Sequence, residues 1–317
     1  MLGFAFLSLG MFAQSIEDAG TKYNEGNEAM KAKQYASAVT AYEEALDIAK
    51  AVGFEADELK GNIEKQLMSA YYKNGLVNYK GRKYDVAIAN LEKSLVLSKE
   101  QGNTEMQNKT ITYIAKVRST KGNSLLKAGK LDEAFAEYEM GLEIKPNCVN
   151  SFYGKGLVYK EKGDMDNMMV NMDEAIKYGA ENPKAAKTVA KAKKAASKAL
   201  VNEAAREIQK EHGKEAAAYI NDSFKYAPGN ADTYYYLTIA NNKSKQFSDA
   251  VTAANKALEL EEGDKSNIYF ELGQALSGKG DTNGACGAFK KVTGGDNADA
   301  AKYQIEPPRY FGQLQFA

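Results

Sequence analysis

Bulky apolar residues recur along the chain at helical spacing, yet the positions where two helices would meet are filled by small side chains. In GNSLLKAGKLDEAFAEYEMGLEIKPN, residues 122–147, Gly122 is followed twelve residues later by Ala134, sixteen later by Tyr138, nineteen later by Gly141 and twenty-four later by Pro146. Intervals of four and three place Ala134, Tyr138 and Gly141 on one face of a helix. That face therefore alternates small, large, small.

The series returns along the chain. Gly26 is followed by Ala38, Tyr42 and Ala45, Gly75 by Ala87, Leu91 and Ser94, and Gly156 by Met168, Met172 and Ala175. Ala204 leads to Ala216, Ile220, Ser223 and Pro228, Thr238 to Ala250, Ala254 and Ala257, and Gly273 to Ala285, Phe289 and Val292. Successive starts lie 49, 47, 34, 48, 34 and 35 residues apart. Three intervals exceed the 34-residue unit by about 14 residues, roughly two extra turns on each of two antiparallel helices at ~3.6 residues per turn. Long helix pairs are thus expected over residues 36–80, 87–127 and 173–210, standing out as fins. The stretches KAGKLDEA, KGRKYDVA, EKGDMDNM and GKGDTNGA each put a glycine near a helix turn, where a positive φ is to be tolerated.

This series closely resembles the tetratricopeptide repeat, over about residues 20–306, a resemblance that implies that Gly122 and Ala134 let two helices approach, Gly141 admits the next pair and Tyr138 fills the gap. The resemblance implies an all-α fold of about seven helix pairs, several lengthened, stacked into a right-handed superhelical solenoid with a concave groove. In such arrays the residue after the first bulky position of the first helix commonly faces the groove. The matching positions are Tyr23, Tyr72, Ser119, Tyr153, Val201, Tyr235 and Phe270, and the next groove-facing turn carries Asn27, Leu76, Asn123, Leu157, Ala205, Ile239 and Gln274. Tyr23, Asn27, Tyr72, Asn123, Tyr153, Tyr235 and Phe270 are the partner-binding candidates, offering rings and amides to an extended peptide or an amphipathic helix. The carboxylate clamp of some family members does not match: Asn27 occupies one clamp position, but Tyr23 stands where its lysine belongs, and Thr120 and Ser124 replace basic residues.

Composition adds limits. Only five prolines and a surplus of helix-compatible residues favour helix over sheet. Lys plus Arg equals Asp plus Glu at 42 each, so no global field draws the chain to nucleic acid. Lys184, Lys187, Lys191, Lys194 and Lys198, at intervals of 3, 4, 3 and 4, form a possible basic stripe on one helix face. With a single histidine, His212, neither a Ser/His/Asp site nor a histidine metal site can be assembled; its place before Gly213 suits a helix-capping role. Cys148 and Cys286 lack metal-ligand spacing and are expected too far apart to bridge, Cys286 in the core and Cys148 at the surface. GQALSGKG approaches a phosphate-binding loop but has Gly280 where the hydroxyl belongs.

The opening MLGFAFLSLGMFAQS has an apolar run too short to span a bilayer and resembles a secretory segment cleaved after Ala13. The expected organisation is an export-signal remnant at 1–13, repeats one to four at 14–182, repeats five to seven with the start of an end-capping helix at 183–306, and an irregular tail at 307–317. Together these features predict an exported, periplasmic or envelope-associated scaffold that binds a protein or peptide. No enzyme activity, cofactor, metal, nucleic acid or transmembrane segment is expected. The alternative is an envelope protein that binds a glycan or small ligand, disfavoured by the absence of Trp.

Overall fold

The computed structural model describes residues 15–305, which form 15 α-helices, two short 3-10 turns and, among the described residues, no strand. The apolar run at 1–13, expected to be an export segment, and the tail from Pro307 lie outside the described residues. Two compact units divide between Asp164 and Met165, inside the fourth helix pair and earlier than the sequence-based boundary after residue 182. Unit one holds α1 (Ile16–Lys31), α2 (Tyr35–Val52), α3 (Asp57–Lys80), α4 (Tyr84–Glu100), α5 (Thr104–Lys127), α6 (Leu131–Ile144) and α7 (Val149–Lys162). Unit two holds α8 (Met165–Gly179), α9 (Ala186–Gln209), α10 (Gly213–Ser223), α11 (Ala231–Lys243), α12 (Phe247–Leu260), α13 (Ser266–Gly278), α14 (Thr282–Phe289) and α15 (Ala298–Ile305). Within each unit, every helix packs on the next in chain order, the signature of a solenoid.

The small and large positions meet as their spacing predicts. A Cβ added at Gly26 would lie 2.5 Å from the Tyr42 ring, one at Gly122 2.7 Å from Tyr138, and one at Gly273 2.5 Å from Phe289. Each glycine thus receives the ring found sixteen residues later, on the second helix of its own pair. A Cβ at Gly141 would meet Ser151 Oγ of α7 at 2.6 Å, so this position does admit the next pair. Tyr42, Leu91, Tyr138, Met172 and Ile220 are fully buried. Burying a side chain of this kind contributes about 1.5–3 kcal/mol, which makes these positions the main apolar anchors of the stack.

The extra residues do not divide equally between paired helices. The first helices α3, α5 and α9 each have 24 residues, against 14 in α7 and 13 in α11 and α13. The preceding second helices gain far less: α2 has 18 residues, α4 17 and α8 15. Glycines stop the first two early, since Gly53 (φ +89) follows α2 and Gly102 (φ +63) lies just beyond α4. The new N-termini are then built separately, by the 3-10 turn Phe54–Ala56, by Asn103 accepting from Met106 N at 3.0 Å, and by the 3-10 turn Pro183–Ala185. The α2–α3 corner is packed rather than a bare fin: Ala49, Ala56, Ile63 and Leu67 are all buried in one cluster. All the lengthening lies on one side of the crossing. From Gly26, Gly75, Gly122, Ala204, Thr238 and Gly273, the helix runs on to end at Lys31, Lys80, Lys127, Gln209, Lys243 and Gly278, five residues later each time.

Three of the four turn glycines behave as expected, with positive φ at Gly129, Gly163 and Gly280. In KGRKYDVA the left-handed residue is instead Arg82, at φ +60, while Gly81 is ordinary at φ −77. Lys33, Glu211 and Lys245 also carry φ near +60, at helix turns elsewhere in the chain.

Charge also holds the helices together. Glu137 on α6 is 7% exposed and meets Arg118 Nη1 at 3.2 Å and Lys121 Nζ at 2.7 Å, both on α5. Those cations reach back to α4 through Glu92 at 3.0 Å and Asp85 at 2.5 Å. A buried carboxylate requires such partners, because its desolvation is otherwise uncompensated.

Candidate binding groove

Tyr23, Asn27, Tyr72, Asn123 and Tyr153 belong to unit one, and Tyr235 and Phe270 to unit two. On α1, the half-buried Tyr23 ring packs 5.8 Å from Tyr42, centroid to centroid. One turn further, Asn27 Oδ1 accepts the Tyr42 hydroxyl at 2.8 Å. The third pair repeats the arrangement, with Asn123 Oδ1 accepting the Tyr138 hydroxyl at 2.7 Å. Each asparagine therefore fixes the buried ring of its own pair, and Asn123 remains exposed.

Tyr72 on α3 is half-buried and meets Tyr113 edge-on at 5.7 Å, while Tyr153 on α7 is half-buried beside Tyr138. Burial raises both hydroxyls, and Tyr113 adds to the effect on Tyr72. Tyr235 on α11 lies 5.9 Å from Tyr236, and burial, followed by the Glu271 charge, pushes its hydroxyl up to about 12. These phenols stay protonated at neutral pH, so they are available as rings and hydrogen-bond donors. Phe270 differs: it is 8% exposed and packs 5.8 Å from Phe289. Helix α15 closes over this last pair through Ala301 and Ile305, burying Phe270 in the core. It is thus unavailable to a partner in this conformation.

Two concavities open at positions of the second groove-facing turn. In unit one, a space of about 700 Å³ is bordered by Asn123, by the paired rings of Tyr79 and Tyr84, and by Lys80, Arg82 and Lys127. In unit two, Ile239 and Gln274 border a space of about 410 Å³ together with Asn242, Glu271 and Phe247. Sequence reasoning reached Asn123, Ile239 and Gln274 but missed the charged and aromatic residues beside them. The aromatic and basic turn YKGRKY was a visible signal for the first group. Nothing in the repeat spacing marks Asn242 or Glu271, which meet only through packing of α11 on α13.

Lys184, Lys187, Lys191, Lys194 and Lys198 are all exposed and form no ion pair among the described residues. The last four follow one face of α9, opposite the buried Ala192, Ala196 and Leu200. His212 does not cap a helix with its side chain; its Nδ1 lies 2.7 Å from Glu207 Oε2. Cys148 is buried rather than exposed, because it precedes α7 inside the contact with α5, where its Sγ lies 3.5 Å from Ser119 Oγ. Cys286 is half-buried, and both thiols are free.

Sequence comparison matches a family described as TPR repeat at residues 122–163, and one described as tetratricopeptide repeat at 19–51 and 149–180. No curated protein matches the chain in sequence. Among solved structures, YrrB, described as a TPR protein with an unusual peptide-binding site, is 16% identical, with 62% of this chain and 88% of that one covered and a TM-score of 0.36. A tetratricopeptide repeat protein from Parabacteroides merdae is 14% identical, with 91% and 98% covered and a TM-score of 0.30. The TPR2AB domain of yeast Sti1, solved in a complex with pHSP90, is 17% identical, with 92% and 98% covered and a TM-score of 0.33.

Proposed function

On the premise that the chain carries tetratricopeptide repeats, we propose that it is a non-enzymatic scaffold that binds a protein or peptide along the first-helix faces of its repeats. The observation that carries this function is the coincidence of two independent features. Asn123, Ile239 and Gln274 occupy repeat positions expected to face a groove, and each borders a concavity large enough to seat side chains. Half-buried tyrosines supply the surrounding surface. Tyr23, Tyr72, Tyr153 and Tyr235 are held by neighbouring rings or by burial, so little side-chain entropy is lost when a partner covers their remaining edges.

Residues 1–13 extend the proposal to location: their apolar run suits an export segment and hence an envelope scaffold. No described helix is long and apolar enough to cross a membrane.

The test is photo-crosslinking from positions 123 and 274 in native cells, with mass spectrometry of the adduct. A single partner captured from these positions, and lost in the folded double variant Tyr72→Ala plus Tyr153→Ala, is the expected result. Undiminished capture by that variant, with its circular dichroism unchanged, would overturn the groove assignment. Fractionation of the same cells tests the location independently.

A further inference from the structure

The concavity of unit two contains an imbalance of hydrogen-bonding groups. Asn242 on α11 points its Nδ2 at α13, donating to the Glu271 carbonyl at 3.0 Å and to Glu271 Oε2 at 2.8 Å. Both neighbours are acceptors, so the amide orientation is set by chemistry: the nitrogen must face them and Oδ1 must face away. That Oδ1 is buried and has no hydrogen-bond partner. Glu271 itself is half-buried, and its Oε1 accepts no hydrogen bond among the described residues. One buried acceptor, Asn242 Oδ1, therefore lies at the recess without a matching donor, beside a carboxylate with a lone pair to spare; an unpaired buried acceptor is rare unless something outside the chain satisfies it.

The neighbouring charges do not correct this. Lys243, the cation nearest Glu271 in the wall, is engaged by Glu211, with its Nζ 2.7 Å from each carboxylate oxygen. The hydrogen bonds of Lys243 are thus taken up by Glu211, and its charge offsets that of Glu271 only in part. The remaining wall is apolar or neutral. Ile239 and Gln274 flank the opening, and the Phe247 ring lies so close to Gly278 that a Cβ there would be 2.4 Å from it. A recess that offers Ile239 and Phe247 beside a carboxylate and an amide oxygen suits a side chain with an aliphatic stem and a cationic, donor-rich head.

We propose that this recess between α11 and α13 is a specificity pocket for a lysine or arginine side chain of the bound partner, with Glu271 as counter-ion and Asn242 Oδ1 as a second acceptor. The pocket rests on the scaffold function above and specifies the partner's chemistry. A basic head would pair the half-buried carboxylate and give the amide oxygen its missing donor. Burial otherwise makes ionisation of this carboxyl unfavourable, and the Asn242 hydrogen bond and Lys243 charge oppose that effect only in part.

The experiment uses the full chain and two defined probes, Nα-acetyl-arginine methylamide and its citrulline counterpart, which keeps the shape and removes the charge. Nitrogen-15 spectra should show saturable shifts of the Asn242 side-chain amide and of the Ile239 and Gln274 backbone with the arginine probe. The citrulline probe should bind at least about tenfold more weakly. Glu271→Gln, which retains an acceptor for Asn242, should erase the difference between the probes while the rest of the spectrum stays unchanged. Equal binding of both probes to the native chain, or an undiminished arginine preference in Glu271→Gln, would overturn the pocket. Because the scaffold function is tested at Tyr72 and Tyr153, loss of tyrosine-dependent capture and loss of charge preference are separately visible.

Discussion

The ring of Tyr138 lies so close to Gly154 that a Cβ on that glycine would stand 2.3 Å from it. Gly122 on α5 is nearly as close to the same ring at 2.7 Å, so Tyr138 is held between the first helix of its own pair and that of the next. Gly154→Ala should therefore destabilise unit one by about 1–3 kcal/mol, because neither the buried ring nor the backbone has room to yield. Gly61→Ala on α3, where nothing lies within 4 Å, should instead be neutral or stabilising by up to about 1 kcal/mol. Urea unfolding of the two variants measures the contrast, and equal effects would contradict the wedge.

Arg82 offers the opposite opportunity. Its φ of +60 costs a residue with a Cβ about 1–2 kcal/mol, partly offset in glycine by greater freedom in the unfolded chain. Arg82→Gly is expected to raise stability by roughly 0.5–1 kcal/mol, read as a higher denaturation midpoint with an unchanged slope.

The cluster around Glu137 predicts a large loss from a single truncation. Glu137→Ala would leave Arg118 and Lys121 partly buried without their shared carboxylate, at a cost of about 2–3 kcal/mol. Asp85→Ala removes an ion pair whose carboxylate is 81% exposed and should cost under about 0.5 kcal/mol. Comparable losses from both variants would mean that burial at Glu137 adds nothing.

Glu271 gives stability a pH dependence of known sign. Its carboxyl is raised above 4.5, so the folded chain holds this proton more tightly than the unfolded chain does. Ionisation therefore lowers stability at pH above the raised value, and the loss disappears below the unfolded value. Glu271→Gln should be more stable than the native chain at about pH 7 and no different at about pH 4. Chemical denaturation at both pH values tests this, and a gap that does not change with pH would contradict it.

The residues legible in the sequence were those whose constraint acts within one repeat. Gly26, Gly122 and Gly273 each face a ring sixteen positions later because the geometry of one helix pair fixes that interval. Phe270 was not legible as core, because α15, which buries it, lies outside the repeat pattern. Cys148 was misplaced at the surface because the α5–α7 contact that covers it follows an inter-repeat loop with no pattern of its own. The added residues showed their number but not their side, because spacing counts residues between two small positions and is blind to where the chain turns. Asn242 and Glu271 are 29 positions apart, on helices of different repeats, and only the fold shows that their polar groups meet.

The shared five-residue interval from small position to first-helix end gives this architecture a fixed datum. Six of the seven pairs are gauged from the same edge, the exception being α7, which runs six residues past Gly156, and α3, α5 and α9 grow only away from it. The two edges of each unit thus differ in tolerance. One must keep its length for neighbours to interlock, while the other can be extended by whole turns without retuning a single crossing. Change is cheap along that second edge, and new contact surface can be added there while the helix crossings keep their shape.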